Sequence, residues 1–234
     1  MDMIDALWRV LPWIDWAALA FFFAAWVGYA SFAHRRADVR PSLLAATNRE
    51  RSRWMLQTTW RENRVVDGQV AQNLSVSPQF FASTTILIIG GLLAVLSTND
   101  RASEIVREIP FAARTTLLVF DLKVGLLTAI FVYAFFRFTW SLRQYSFGAL
   151  LVAAAPAHDR FTDDEQRRAF AERAGRVMGM AAETFNDGLR AYYMSFAALA
   201  WFFSPWALVT GSASVVWILY RREFQSDVLA VLNG

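Results

Sequence analysis

The chain has no cysteine, which excludes disulfides, iron–sulfur clusters, zinc knuckles and thiolate catalysis. Only two histidines are present, so no metal site and no other cofactor is expected. Charge is also scarce: 18% of the 234 residues are charged, against roughly a quarter in a soluble domain. Lysine is nearly missing, Lys123 being the single one among 23 basic residues. There is no G-x-S-x-G elbow, no phosphate-binding glycine loop and no His-Glu-x-x-His helix. The sequence therefore reads as no enzyme.

What the chain has in excess is apolar and aromatic mass: 56% hydrophobic residues, with 20 Phe, 10 Trp and 6 Tyr. Mean hydropathy is +0.30, and the apolar residues are clumped into runs too long for core helices. An all-α, multi-pass transmembrane bundle is the expected fold, with membrane lipids as partners. A basic pI of about 9.6 points to nucleic acid only where the charge forms a patch away from spans. Here the arginines flank the apolar runs, so no nucleic-acid partner is expected.

A spanning helix needs about 20 mostly apolar residues. The runs predict spans at about 16–32, 80–97 and 117–136. The last apolar region, Ala191 to Tyr220, is too long for one crossing. Ser204-Pro205 has the form of a helix start, because serine accepts free N–H groups and proline at the first position loses no bond. The region thus divides into spans at about 189–203 and 205–222, the alternative being one helix kinked at Pro205. Ser77-Pro78 gives the same signal ahead of the second span.

Eight arginines lie between His34 and Gln79 and eight more between Arg137 and Arg190; between the second and third spans there are only Arg101, Arg107 and Arg114. Arginine-rich segments stay in the cytoplasm. The N-terminus is therefore expected outside and the C-terminus in the cytoplasm, at a bacterial inner membrane. Small residues at Ala30-Ser31-Phe32-Ala33 would suit signal cleavage, but Asp2 and Asp5 against Arg9 make the wrong n-region. Trp8, Trp13 and Trp16 read instead as an interfacial anchor.

The inside segments, 42–76 and 137–188, are helical in composition. From Ser42 to Ser75 there is no proline and one glycine, predicting one helix roughly 50 Å long. Its Arg49, Arg53, Gln57, Trp60 and Arg64 recur at steps of three and four, with Val66, Val70 and Leu74 as an apolar stripe. Such a basic, Trp-bearing face suits anionic headgroups, with Arg49, Arg53 and Trp60 as candidate contacts; it equally suits packing on the other inside helix. Further on, Thr162 as N-cap with Glu165 forms a capping box. That cap accounts for the acidic group near His158 without a metal. Gly175-x-x-x-Gly179 permits close helix contact.

Charge inside a span costs about 2.5–3.5 kcal/mol at the centre on insertion scales. Asp121 and Lys123 sit just within the outer end of the third span. Two residues apart, they cannot pair with each other. Each either snorkels outward or finds a partner on another helix, where it would line a polar path or a subunit interface. Ser83, Thr84 and Thr85 in the second span either pack against another helix or face such a path. Arg137, Arg143, Asn186, Asp187 and Arg190 cluster at the inner boundary, as anchors or as a polar vestibule.

The blocks Arg64-Val65-Val66-Asp67 with FFASTTILIIGGLLA, FRFTWSLRQYSFG, FNDGLRAYY and YRREFQS resemble an uncharacterised family of bacterial inner-membrane proteins with relatives in plants. The resemblance covers nearly the whole chain. It implies a multi-pass helical fold and no activity, substrate or cofactor. It adds emphasis to Arg64, Asp67, Arg137, Arg143, Asn186, Arg190 and Arg222. On the residues, transport of a small ion or solute by a homo-oligomer leads; a structural or assembly role, binding lipid or a partner through the basic helices, is the alternative.

Overall fold

A computed structural model describes residues 11–36, 42–97 and 116–233. Trp8 and the sparse arginines Arg101, Arg107 and Arg114 lie outside the described residues, as do Asp2, Asp5 and Arg9. Among the described residues all regular structure is helical: α1 (Trp13–Arg36), α2 (Leu43–Thr58), α3 (Val65–Ser97), α4 (Leu117–Ala153), a 3-10 turn (His158–Arg160), α5 (Asp164–Ala200), α6 (Pro205–Phe224) and α7 (Asp227–Asn233). The protein is an all-α bundle. Three helices, α1, α3 and α4, are long and apolar enough to cross a membrane.

Local chemistry sets the helix limits. Ser42 caps α2, its Oγ accepting from the Ala45 N–H at 3.1 Å. Ser204 does the same for α6 through the Ala207 N–H at 3.0 Å, and the chain turns at 201–203 rather than running on. The helix start read at Ser204-Pro205 is thus what forms. The cap of α5 sits one residue later than expected: Asp163 accepts from the Gln166 N–H at 2.7 Å, and the Gln166 side chain returns to the Thr162 N–H at 2.9 Å. A carboxylate competes better than a hydroxyl for a positive helix end, which displaces the Thr162–Glu165 box.

Two other expectations are overturned. The single helix over Ser42–Ser75 breaks at Thr59–Arg64. The Thr58 and Thr59 hydroxyls bond back to the Trp54 and Leu56 carbonyls, the last N–H groups tighten to i→i−3 bonds, and Asn63 Oδ1 takes the Val65 N–H. Short polar side chains there offer the backbone partners that helix continuation would otherwise supply. The run Arg49, Arg53, Trp60 and Arg64 consequently does not share one helical face. Pro78, in contrast, starts nothing. It lies buried within α3, giving up one backbone bond in an apolar helix where such a loss is tolerated.

The chain divides into two compact units. One comprises α1 to Arg35, residues 85–97 of α3, 117–134 of α4, 189–200 of α5 and α6 to Tyr220. Its interior holds Phe22, Leu127, Ile130, Met194, Trp201 and Leu208, while Trp13, Leu87, Phe196 and Trp206 face outward. Gly211 allows α6 against α5: a Cβ there would lie 3.3 Å from Ala197 Cα.

The other unit comprises α2, residues 65–84 of α3, 135–153 of α4, 164–188 of α5 and 221–233. Its core joins Met55, Ala71, Tyr145, Val152, Phe161, Phe170, Ala174 and Met178. The α5 members recur at steps of three and four, the period of an amphipathic helix. The Gly175 and Gly179 spacing has its physical meaning here, since added Cβ atoms would meet Ser52 Oγ at 2.9 Å and Asn48 Oδ1 at 3.2 Å. The start of α2 is fastened too: Glu223 accepts from the Leu44 N–H at 3.1 Å, and α7 lies against α2.

Candidate functional site

In the first unit three buried side chains from three elements meet. Asp15 stands in the first turn of α1, Lys123 in the second turn of α4, and Trp201 where α5 ends. Their exposures are 8%, 3% and 0%. Trp201 donates its indole N–H to Asp15 Oδ1 at 2.6 Å, and its backbone carbonyl accepts from Lys123 Nζ at 2.9 Å. The ammonium also lies 5.2 Å from the Trp201 ring centre and 5.6 Å from that of Phe202. Asp15 acts on Lys123 electrostatically.

Each contact has a reason. A helix C-terminus carries partial negative charge on unpaired carbonyls, which favours a cation. Aromatic faces add to that attraction. An ammonium with a carboxylate nearby avoids the cost of an isolated buried charge. Lys123 therefore turns inward to a partner on another element instead of snorkelling outward. Alongside lies a groove of about 610 Å³ between α1 and α4, lined by Trp16, Phe23, Leu122, Leu126, Asp121 and Trp201. Asp121 and Lys123 thus face different neighbours, as their spacing requires.

Elsewhere in this unit Thr85 is fully buried and its hydroxyl lies 2.7 Å from Tyr192 Oη. Arg190 places its guanidinium 5.8 Å from the Tyr29 ring centre. Ser83 is exposed and Thr84 half-buried, both in the other unit. The three hydroxylated residues do not share a face.

In the second unit the inner-boundary residues form separate groups. Asp67, fully buried, accepts at Oδ1 from Trp54 Nε1 at 2.7 Å, Thr58 Oγ1 at 3.1 Å and Arg61. Arg64 donates to the carbonyls of Thr58, Ala155 and Pro156 at 3.2, 2.9 and 2.5 Å. Arg137 pairs with Asp187. Asn186 is half-buried and Arg143 exposed. Arg167 is buried, donates to the Thr59 and His158 carbonyls at 2.6 and 2.7 Å, and stacks 3.7 Å from the Trp60 ring centre and 4.7 Å from that of Phe161. Two arginines thus hold the ends of α2 and α4, where free carbonyls collect.

Of the headgroup candidates, Arg49 and Arg53 are exposed and line a groove of about 500 Å³ with Asn48, Ser52 and Glu183. Arg53 pairs with Glu50 at 2.6 Å. Trp60 is 54% exposed, with one face taken by Arg167. Behind them Arg51 bonds Asn48 Oδ1 at 2.7 Å. Burial lowers its guanidinium pKa from the ordinary value, and Tyr145 and Glu183 oppose that. No group of three potential metal ligands occurs among the described residues.

Sequence reasoning missed Asp15, Trp201, Arg61 and Arg167. Asp15 had a signal: an acid flanked by apolar residues at the mouth of a span. The uninterrupted apolar run begins at Trp16, one residue beyond it. Trp201 and Arg167 carried none, since their partners lie far along the chain. Residues 17–228 match a family described as "Protein of unknown function, DUF599". No curated protein and no solved structure matches the chain.

Proposed function

The chain belongs to this family of proteins of unknown function, and from that premise we propose that it conducts a small ion or solute across the bacterial inner membrane, as an assembly of identical copies. The observation that carries this reading is the buried Asp15–Trp201–Lys123 group in a unit whose outer surface is apolar. Ionisable residues inside membrane spans are expensive and mark ion pathways or proton relays. Among the described residues the ammonium donates to one carbonyl, where Arg64 donates to three. Lysine can also give up its proton on burial, which arginine cannot.

Five crossings complete the proposal, with the N-terminus outside and the C-terminus in the cytoplasm. The α5–α6 turn at Trp201–Ser204 supports the count, and arginine placement supports the direction. Five spans leave little room for a water path within one copy, which favours the assembly. No catalytic role is proposed.

The test is ion flux in proteoliposomes with protons and a panel of monovalent ions. We expect flux in the native protein and its loss in Lys123→Met and Asp15→Asn, with both variants still inserted and folded. Absence of flux for every ion, beside a working control channel, overturns the reading. A second reading, attachment to anionic lipid in an assembly role, is favoured by exposed Arg49 and Arg53 and by Arg143 between Trp140 and Phe147 on α4. Vesicle binding that rises with anionic lipid while flux stays at background selects it.

A further inference from the structure

Helix α3 has 33 residues, about 50 Å at about 1.5 Å per residue. The hydrocarbon layer is about 30 Å thick. With the span over 80–97, about four turns at the start of the helix project beyond lipid. They are nonetheless apolar on one side, with Val66 62% and Val76 56% exposed, and that side continues into the span at Phe80, 63% exposed. Gln69, Asn73 and Ser83 are exposed with them.

These six residues fall at alternating steps of three and four, the spacing that keeps one seam turned towards a parallel helix. We propose that this seam of α3, residues 66–83, is the contact between two copies of the chain, helix beside parallel helix. It deepens the assembly in the reading above and does not depend on which species is carried.

Symmetry decides the occupant. Two copies inserted the same way round are related by an axis along the membrane normal, so their helices run parallel and every residue meets its twin. Such a face must be self-complementary. Amides and hydroxyls are, because each both donates and accepts. An asparagine within an apolar seam favours a pair in one register. Ionised groups are not, and from Gly68 to Ser97 there is none; Asp67 is turned inward and fully buried.

The other exposed stripe makes the contrast. On α4, Phe136, Trp140, Phe147 and Leu150 are exposed together with Arg143. A parallel twin would set arginine against arginine there. That stripe suits headgroups; the α3 seam suits a second copy.

Because the chain lacks native thiols, single cysteines at Gln69, Asn73, Val76, Phe80 and Ser83 can be oxidised in native membranes. We expect disulfide-linked dimers at the seam several-fold above those at Gly68 and Gln79 on the flanks, or at Trp140 and Phe147 on α4. Asn73→Glu is expected to lower crosslinking at Val76 several-fold, while Asn73→Gln keeps it. Fractionation checks that each variant is inserted. Equal crosslinking on seam and flank, dimers only through α4, or adducts with a protein of another mass overturns the proposal. Periodic crosslinks without ion flux leave the interface standing and remove transport. Flux from a chain that never crosslinks on α3 does the reverse.

Discussion

The two units of the protein keep buried charge in different ways. In the unit containing α2, three charged groups are held several times over: Asp67 by three donors, Arg64 by three carbonyls, Arg167 by two carbonyls and two rings. In the unit containing Trp201, Lys123 Nζ makes one hydrogen bond and lies over two rings, and Asp15 Oδ1 takes one hydrogen bond, both bonds being with Trp201. Groups held by several partners at once are clasps, since any change of charge or rotamer leaves more than one partner stranded. A lysine that gives up a single hydrogen bond strands fewer partners when it changes state. The difference separates residues that fasten the fold from residues that could act.

The comparison can be broken by stability measurements on matched variants, read as thermal or denaturant unfolding in detergent. Asp67→Ala is expected to cost the most, about 3–5 kcal/mol, because it strands the Trp54, Thr58 and Arg61 donors in the interior. Gly175→Val should follow at about 1–3 kcal/mol, since its Cβ alone meets Ser52 Cα at 3.0 Å. Lys123→Met is expected to cost about 1–2 kcal/mol while abolishing flux. If it instead matches Asp67→Ala in stability and spares flux, Lys123 is a clasp like the others and the contrast is lost. Ser204→Ala removes one cap and should cost about 1 kcal/mol. Arg53→Ala, breaking an exposed pair, should stay within about 0.5 kcal/mol of the parent.

What the sequence made legible follows from range. The helical class, the apolar stretches within α1, α3 and α4, and the start of α6 depend on neighbours a few residues apart, as in the Ser204–Ala207 bond. The break after α2 is also local, written in Thr58, Thr59 and Asn63, and a lack of proline does not by itself make a helix continuous. The Asp163 cap differed from expectation by one residue for a comparable reason: two acceptors stood side by side and the charged one won. The charged centre was of another kind. Asp15 and Trp201 are separated by 186 positions, and no periodicity connects them. Arg137 and Asp187 read from the sequence as members of one boundary cluster, but their pairing with each other needs the fold.

The clasp at Arg64 bears on the order in which the chain is built. Its carbonyl partners at Ala155 and Pro156 come 91 and 92 positions later, so the corner after α2 leaves the ribosome long before they exist. Until α4 has been made, that corner is held by local bonds: those of Asn63, Thr58 and Thr59, and those of Asp67 to Trp54, Thr58 and Arg61. The bend is thus set early by local bonds and locked late by two distant ones.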